Sequence, residues 1–231
     1  MIQDINILYH GTGATFENPD LDNSREDVDF GVGFYTTQNK EMAKKWASSK
    51  RKSTINTYSF NRIGDLKIYT FKLDEEWLDF VTNNRLGIDS QKKYDKYDIL
   101  IGPTAENKVF DTVNEYIKGT YTKKEAIQYI NVAGFDQQIV FKTEKAIQSL
   151  KFIKRELLEP DEKAFIKLQV NKDRKSALDK LDCLKKRNSK KRYKKMKENQ
   201  NDYQKYRSRK NCTTGSSNDG YIRYVCKQRI Y

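Results

Sequence analysis

The chain has a single histidine, His10, so any imidazole chemistry rests on that residue and a His-rich metal site is excluded. It lies in Tyr9-His10-Gly11-Thr12, directly after the apolar run Ile5-Asn6-Ile7-Leu8. Alone, a histidine at a strand end is more often a structural hydrogen-bonder than a catalyst. The glycine beside it shifts that balance, because a residue without Cβ lets another group come close to the backbone. A second group is Asp29-Phe30-Gly31-Val32-Gly33-Phe34-Tyr35. Its paired glycines could cradle a phosphate, but no Lys-Ser/Thr follows and no βαβ frame surrounds them, so a P-loop reading is weak. Phe34 and Tyr35 there fit ordinary core packing as well as a ligand. The third group is Asp136-Gln137-Gln138-Ile139-Val140-Phe141. Strand alternation sends Gln138 and Val140 to one face, and a glutamine so placed is more often an exposed edge residue than a ligand-holding one.

These groups need elements to position them. Residues 5–9 read as a strand, 11–33 as a long loop, and 39–52 as a helix with Met42, Ala43, Trp46 and Ala47 at helical spacing. Strands are expected at 54–60 and 66–73. Asp74 should cap a helix bearing Trp77, Leu78 and Val81. Residues 97–101 form a further strand ended by Gly102-Pro103, and a helix follows over 104–118. Thr122 and Glu125 have capping-box spacing. A strand at 137–141, a helical turn at 143–150 and a strand at 151–153 complete a body of irregular order. That order argues an α+β fold rather than a βαβ array.

Of the 231 residues, 45 are Lys or Arg and 32 Asp or Glu, a net charge of +13. Residues 1–154 hold 22 basic and 22 acidic residues, so the excess lies entirely in 155–231. The division is a body over 1–156 and a basic extension over 157–231. Residues 173–197 read as a helix with Ala177, Leu178, Leu181 and Leu184 on one narrow face. Tyr193, Tyr203 and Tyr206 stand among lysines and arginines, 211–220 reads as a linker, and 221–231 as a short strand. Basic charge with interleaved aromatic rings suits phosphate backbones and base stacking. Lys186, Arg187, Lys190, Lys191, Arg192, Lys194 and Lys195 are the candidate nucleic-acid contacts. A solvated basic face or an acidic protein partner would account for the same residues. No apolar run reaches the roughly 18 residues of a membrane span, and no secretory signal is visible. Cys183, Cys212 and Cys226 lack CxxC spacing, which favours reduced thiols and a cytoplasmic location with no structural metal.

Taken in order, the motifs carry more. Leu8-Tyr-His-Gly-Thr12, Ser24-Arg25, Asp29-Phe-Gly-Val-Gly-Phe-Tyr-Thr-Thr37, Ala43–Ala47, Phe80-Val81 with Asn84-Arg85, Tyr97-Asp-Ile-Leu-Ile-Gly-Pro103 and Gln138-Ile-Val-Phe-Lys-Thr-Glu-Lys-Ala146 resemble a bacterial family. It was long catalogued as a domain of unknown function and is grouped with the histidine–tyrosine branch of ADP-ribosyltransferase toxins. The resemblance covers about residues 5–156, and the extension lies outside it. It implies a split β-sheet core with peripheral helices, NAD⁺ as co-substrate, and transfer of ADP-ribose to a macromolecule. The acceptor leans towards RNA or DNA because of the basic extension, and an antitoxin protein is a further implied partner. By resemblance, His10 bonds the adenosine-side ribose, Gly11 meets the nicotinamide amide through its backbone, and Tyr35 stacks on the nicotinamide ring. Thr12 and Phe34 join the cofactor site, and Arg25 is placed for a pyrophosphate charge. Gln138 stands where many relatives carry a glutamate. Without that charge, stabilisation of a cationic centre is weaker, and Glu106, Asp111, Asp136 or Glu144 could supply it. Glu106 is preferred among these acids, although a first-turn acid serving the helix dipole is the commoner explanation of such a residue. A protein-modifying transferase, an NAD⁺ glycohydrolase and a non-catalytic nucleic-acid-binding protein on the same fold are the alternative readings.

Overall fold

A computed structural model describes residues 6–22, 24, 28–88, 91–105 and 110–212. Arg25 and Glu106 lie outside the described residues, as do the expected strand at 221–231 and most of the expected linker. Among the described residues the chain is a mixed α+β structure. Two compact units divide it, Met1–Cys183 and Leu184–Tyr231.

Two sheets form the first unit. One holds β1 (Ile7–Thr12), β3 (Thr54–Phe60) and β7 (Leu150–Leu157) in the order β1-β3-β7, all antiparallel. The other holds β2 (Phe34–Thr36), β4 (Ile68–Thr70), β5 (Ile99–Pro103) and β6 (Gln137–Phe141) in the order β2-β6-β5-β4. A lone bridge, Tyr9 to Thr37, joins β1 to the end of β2. In main-chain pairing among the described residues the two sheets thus meet at this pair and then part, while their side chains share a core.

The helices start where local chemistry dictates. Asn39 caps α1 (Lys40–Ser48) by accepting from the Glu41 and Met42 N–H groups, and Asp74 caps α2 (Glu75–Arg85) through the Trp77 N–H. Thr122 and Glu125 form the expected capping box on α4 (Lys123–Ala133). Several expectations shift: β4 covers only part of the strand expected over 66–73, and β7 runs on to Leu157 instead of ending at 153. Gly102 and Pro103 lie inside β5, because their backbones still pair with Gln138 and Gln137. The helix expected from 104 is α3 (Phe110–Ile117), while Thr104 and Ala105 are buried non-helical residues bonded to Asp136 and Asp29. The extension helix, α6 (Pro160–Cys212), begins well before residue 173. Pro160 with Asp161 and Glu162 is a helix-opening sequence, since proline fits the first helical position and acids suit the first turn.

One core cluster gathers Phe30, Phe71, Trp77, Leu78, Phe80, Leu100 and Val140, and a second gathers Leu8, Phe34, Tyr58, Ile99, Ile139 and Phe141. They lie on opposite faces of the β2–β6–β5–β4 sheet, as the alternation of Leu100 with Ile99 and of Val140 with Ile139 requires. The first unit runs past residue 156 to Cys183 because Ile166, Ala177 and Leu181 are buried, whereas Leu178 is exposed. No helix among the described residues is long and apolar enough to cross a membrane.

Candidate active site at the split between the sheets

The bridge fixes the geometry of the split. Tyr9 donates to the Thr37 carbonyl at 2.8 Å and accepts from the Thr37 N–H at 3.0 Å. An antiparallel ladder alternates residues that exchange both bonds with residues that exchange none. Tyr9 therefore turns its polar groups away from β3, and so does Gly11, two residues on. Continued past the bridge, the ladder would next join Gly11 to Tyr35. It does not. His10 Nδ1 takes the Tyr35 carbonyl instead, at 2.7 Å. The Gly11 N–H and C=O are left facing the split.

The same bond sets the state of the imidazole. A carbonyl can only accept, so Nδ1 carries the proton and Nε2 of the neutral ring is an acceptor. Burial lowers the His10 pKa to about 4, opposed by the Tyr35 carbonyl and assisted by the Lys50 charge. Phe34 lies 4.5 Å from the imidazole in a tilted stack and Phe16 stands edge-on at 5.7 Å. Phe34 is a core residue, 6% exposed, whose ring supports His10. Thr12 ends β1 opposite Thr54 and is half-buried.

The missing Cβ of Gly11 serves packing within the fold. A Cβ there would lie 1.8 Å from the Ala43 carbonyl oxygen, so the group that uses its bare face is α1. The Gly11 N–H and C=O lie instead along the strand edge. Tyr35 is also doubly used. Its hydroxyl donates to the Gly31 carbonyl at 2.7 Å and accepts from the Phe30 N–H at 3.0 Å, closing the turn at Gly31, whose φ of +65° is left-handed. Asp29 and Arg85 hold this turn from behind. The guanidinium bonds one Asp29 oxygen at 2.6 and 3.0 Å, and the other accepts from the Ala105 N–H at 2.9 Å. Both side chains are under a tenth exposed. Lys142 donates to the Phe30 carbonyl at 2.6 Å and to that of Val32, and burial lowers its pKa to about 8.

Gln138 is not an exposed edge residue. It is 3% exposed because β6 lies between β2 and β5, and its Nε2 donates to the Pro103 carbonyl at 3.2 Å. The Trp77 indole donates to the same carbonyl at 3.1 Å. With its nitrogen so directed, Gln138 presents Oε1 as an acceptor. Tyr35 pairs with Val140, so Tyr35 and Gln138 share a face on adjacent strands, roughly 7–8 Å apart as diagonal neighbours. His10, Tyr35 and Gln138 thus stand on three successive strands, β1, β2 and β6.

The acids considered for the site divide. Asp136 accepts from the Asn39 amide at 3.0 Å, and Glu144 is an exposed first-turn residue of α5 (Glu144–Ile147). Glu106 and the Asp111 side chain lie outside the described residues. Among the described residues no group of three or more His, Cys, Asp or Glu side chains could hold a metal ion. In the second unit, Lys186, Arg187, Lys190, Lys191, Lys194 and Lys195 are exposed on α6, and the Arg192 side chain lies outside the description.

What the split can do follows from its parts. A backbone N–H and C=O side by side match the edge of a primary carboxamide, where the C=O accepts and one N–H of the NH₂ donates. An aromatic ring beside them suits a planar partner, and the neutral imidazole and the glutamine oxygen accept from hydroxyls. A family model described as a protein of unknown function (DUF3990) matches residues 6–152. The chain belongs to the DUF3990 family. That match spans the whole split and both sheets as far as Phe152 in β7, and leaves out α6. No curated protein and no solved structure matches the chain.

Proposed function

We propose that this DUF3990 protein is an NAD⁺-dependent mono-ADP-ribosyltransferase, acting in a bacterial cytoplasm as a toxin or defence effector on a macromolecule, with nucleic acid as the acceptor class. The observation that carries the reading is the opened ladder. The Gly11 N–H and C=O face a gap beside an imidazole locked with Nε2 as acceptor. The nicotinamide carboxamide is complementary to the Gly11 pair, and its ring to the Tyr35 side chain. His10 Nε2 accepts a ribose hydroxyl, and Gln138 Oε1 can accept one from the other ribose. The two-sheet frame, met at one bridge, agrees with the split core that the sequence motifs imply.

The chemistry is transfer at an anomeric carbon. The bond between ribose C1′ and the nicotinamide nitrogen breaks, its electron pair leaves with neutral nicotinamide, and C1′ becomes oxocarbenium-like. A nucleophile of the acceptor bonds C1′ and loses its proton. The residues of the split fix the leaving group and the riboses. A neutral Gln138 stabilises the cation less than a carboxylate would, and Glu106 remains the proposed source of charge.

The acceptor class rests on α6. From Leu184 to Cys212 it carries 13 basic and 2 acidic residues, a density suited to phosphate neutralisation. The same charge supports a second reading, a nucleic-acid-binding protein without catalysis. Purified protein with labelled NAD⁺ and separate pools of RNA, DNA and cell protein tests both. Label in one nucleic-acid pool, lost in His10→Ala, is expected. Label in the protein pool alone moves the acceptor class. Nicotinamide release without label makes the protein a glycohydrolase, and neither label nor release from folded protein overturns the enzyme reading.

A further inference from the structure

His10 has a cross-strand partner that neither the motifs nor the site above accounts for. β1 and β3 place His10 opposite Asn56. Because Tyr9 turns its backbone away from β3, His10 and Asn56 are a hydrogen-bonded pair, with Cα atoms about 5.5 Å apart and side chains on one face. Asn56 is fully buried, and its Nδ2 donates to the Ala14 carbonyl at 3.0 Å. A carbonyl acceptor fixes the amide orientation, so Oδ1 is the other end. That oxygen is shielded from solvent and has no hydrogen-bond partner among the described residues. A buried acceptor left unpaired is costly in a folded protein, about 1–3 kcal/mol, and strands disfavour asparagine. A buried, unpaired, correctly oriented acceptor beside a ligand-facing histidine has the properties of a binding group whose partner is not protein.

We infer that Asn56 Oδ1 and His10 Nε2 form a two-acceptor pair for a vicinal diol, each taking one hydroxyl of the same ribose. The inference rests on the NAD⁺ reading above and extends it to a residue outside the motifs. The Asn56–Ala14 bond stays in place. Phe16, edge-on to the imidazole, is the side chain that turns aside to admit the sugar. Two acceptors and no donor make the pair selective for free hydroxyls. The neighbouring Arg155, opposite Asn56 on β7, is exposed and donates to Thr15 Oγ1 at 3.2 Å.

The test is a binding cycle with NAD⁺ and its adenosine-side 2′-deoxy and 3′-deoxy analogues, on wild type, Asn56→Ala and His10→Ala. Asn56→Ala is expected to weaken NAD⁺ about 5–10-fold, the loss of one neutral hydrogen bond. One analogue should bind wild type and Asn56→Ala equally, since its hydroxyl is already gone. The other analogue should show the same relation to His10→Ala. An equal loss for all three ligands in Asn56→Ala would mean that Asn56 only anchors Ala14, and the inference fails while the NAD⁺ reading stands. If Asn56→Ala does not fold, the wild type decides. It should lose about 5–10-fold for each analogue, and equal affinity for all three ligands overturns the pair. Wild type that binds no NAD⁺ overturns both readings together.

Discussion

The two edges of the β2–β6–β5–β4 sheet each carry a cluster of polar side chains, and they differ in what is left over. At the β4 edge, Tyr69 donates to Glu76 at 2.7 Å, Tyr94 donates to the same carboxylate at 2.9 Å, and Lys93 pairs with it. Those bonds hold the Glu76 pKa down to about 2, the Lys93 bond contributing most, and the Glu76 bond raises Tyr69 to about 12. The rings of Tyr69, Phe71, Phe80 and Tyr94 pack closely around it. Both carboxylate oxygens are used, and the cluster ties β4 to α2. At the β2 edge a single bond, His10 to the Tyr35 carbonyl, replaces a ladder rung and leaves the Gly11 N–H and C=O facing a gap. Shifted pKa values occur at both edges. Of these two edges, the β2 edge is the one with unanswered main-chain capacity, at Gly11, and the proposed function puts the ligand there.

The comparison can be broken at either edge. The largest effect is expected behind the split. Arg85→Ala leaves the Asp29 carboxylate buried with its charge partner removed, and such losses run to about 3–5 kcal/mol. Thermal or denaturant unfolding measures it, and a change within a few tenths of a kcal/mol would mean the ion pair does not hold the turn. Gly11→Ala comes next, because its Cβ must push against the Ala43 backbone. Overpacking of this kind costs about 1–3 kcal/mol, and full stability in that variant would contradict the contact. Glu76→Gln should cost less, about 1 kcal/mol, and leave NAD⁺-dependent labelling unchanged. Lost labelling in folded Glu76→Gln would make the β4 edge part of the site.

The smallest effect is a titration. His10 is the only imidazole, so its NMR signals need no assignment among histidines. They should report the Nδ1–H tautomer and stay neutral down to pH about 4. The folded pKa lies below the ordinary 6.5, so the unfolded chain binds the extra proton first. Stability from this residue is present above pH 6.5 and lost as pH falls towards 4. Glu76 acts in the same direction lower down, between its usual 4.5 and about 2. An imidazole that titrates near 6.5 would remove the neutral acceptor from the site.

Much of the fold was legible because it is set locally. β3 and β6 fall on their expected residues, and the caps at Asp74 and Thr122 were readable as single side chains placed before apolar periodicity. His10, Tyr35 and Gln138 could be singled out, and alternation put Gln138 on the Val140 face. What stayed hidden depends on register. Asn56 matters because it lies opposite His10, and Phe16 because its ring meets the imidazole. Neither fact is written in sequence spacing, although an asparagine inside a β-branched run was a signal. Asp29 and Arg85 lie in the motifs, but their role does not, since only folding brings residues 56 positions apart into one ion pair. The burial of Gln138 follows from strand order, which a period-two pattern does not contain. The early start of α6 is written in Pro160-Asp161-Glu162, a helix-opening signal that lies ahead of the densely basic stretch.

The most direct test of the central claim reads the backbone of the split itself. In ¹H–¹⁵N spectra of labelled protein titrated with NAD⁺ or nicotinamide, the Gly11 and Tyr35 amide signals should shift as the carboxamide occupies the gap. The Tyr9 and Thr37 amides, already bonded to one another's carbonyls, should stay nearly in place. Saturating NAD⁺ that leaves the Gly11 and Tyr35 signals unmoved, with the protein folded, would contradict the claim that this opened ladder is the site.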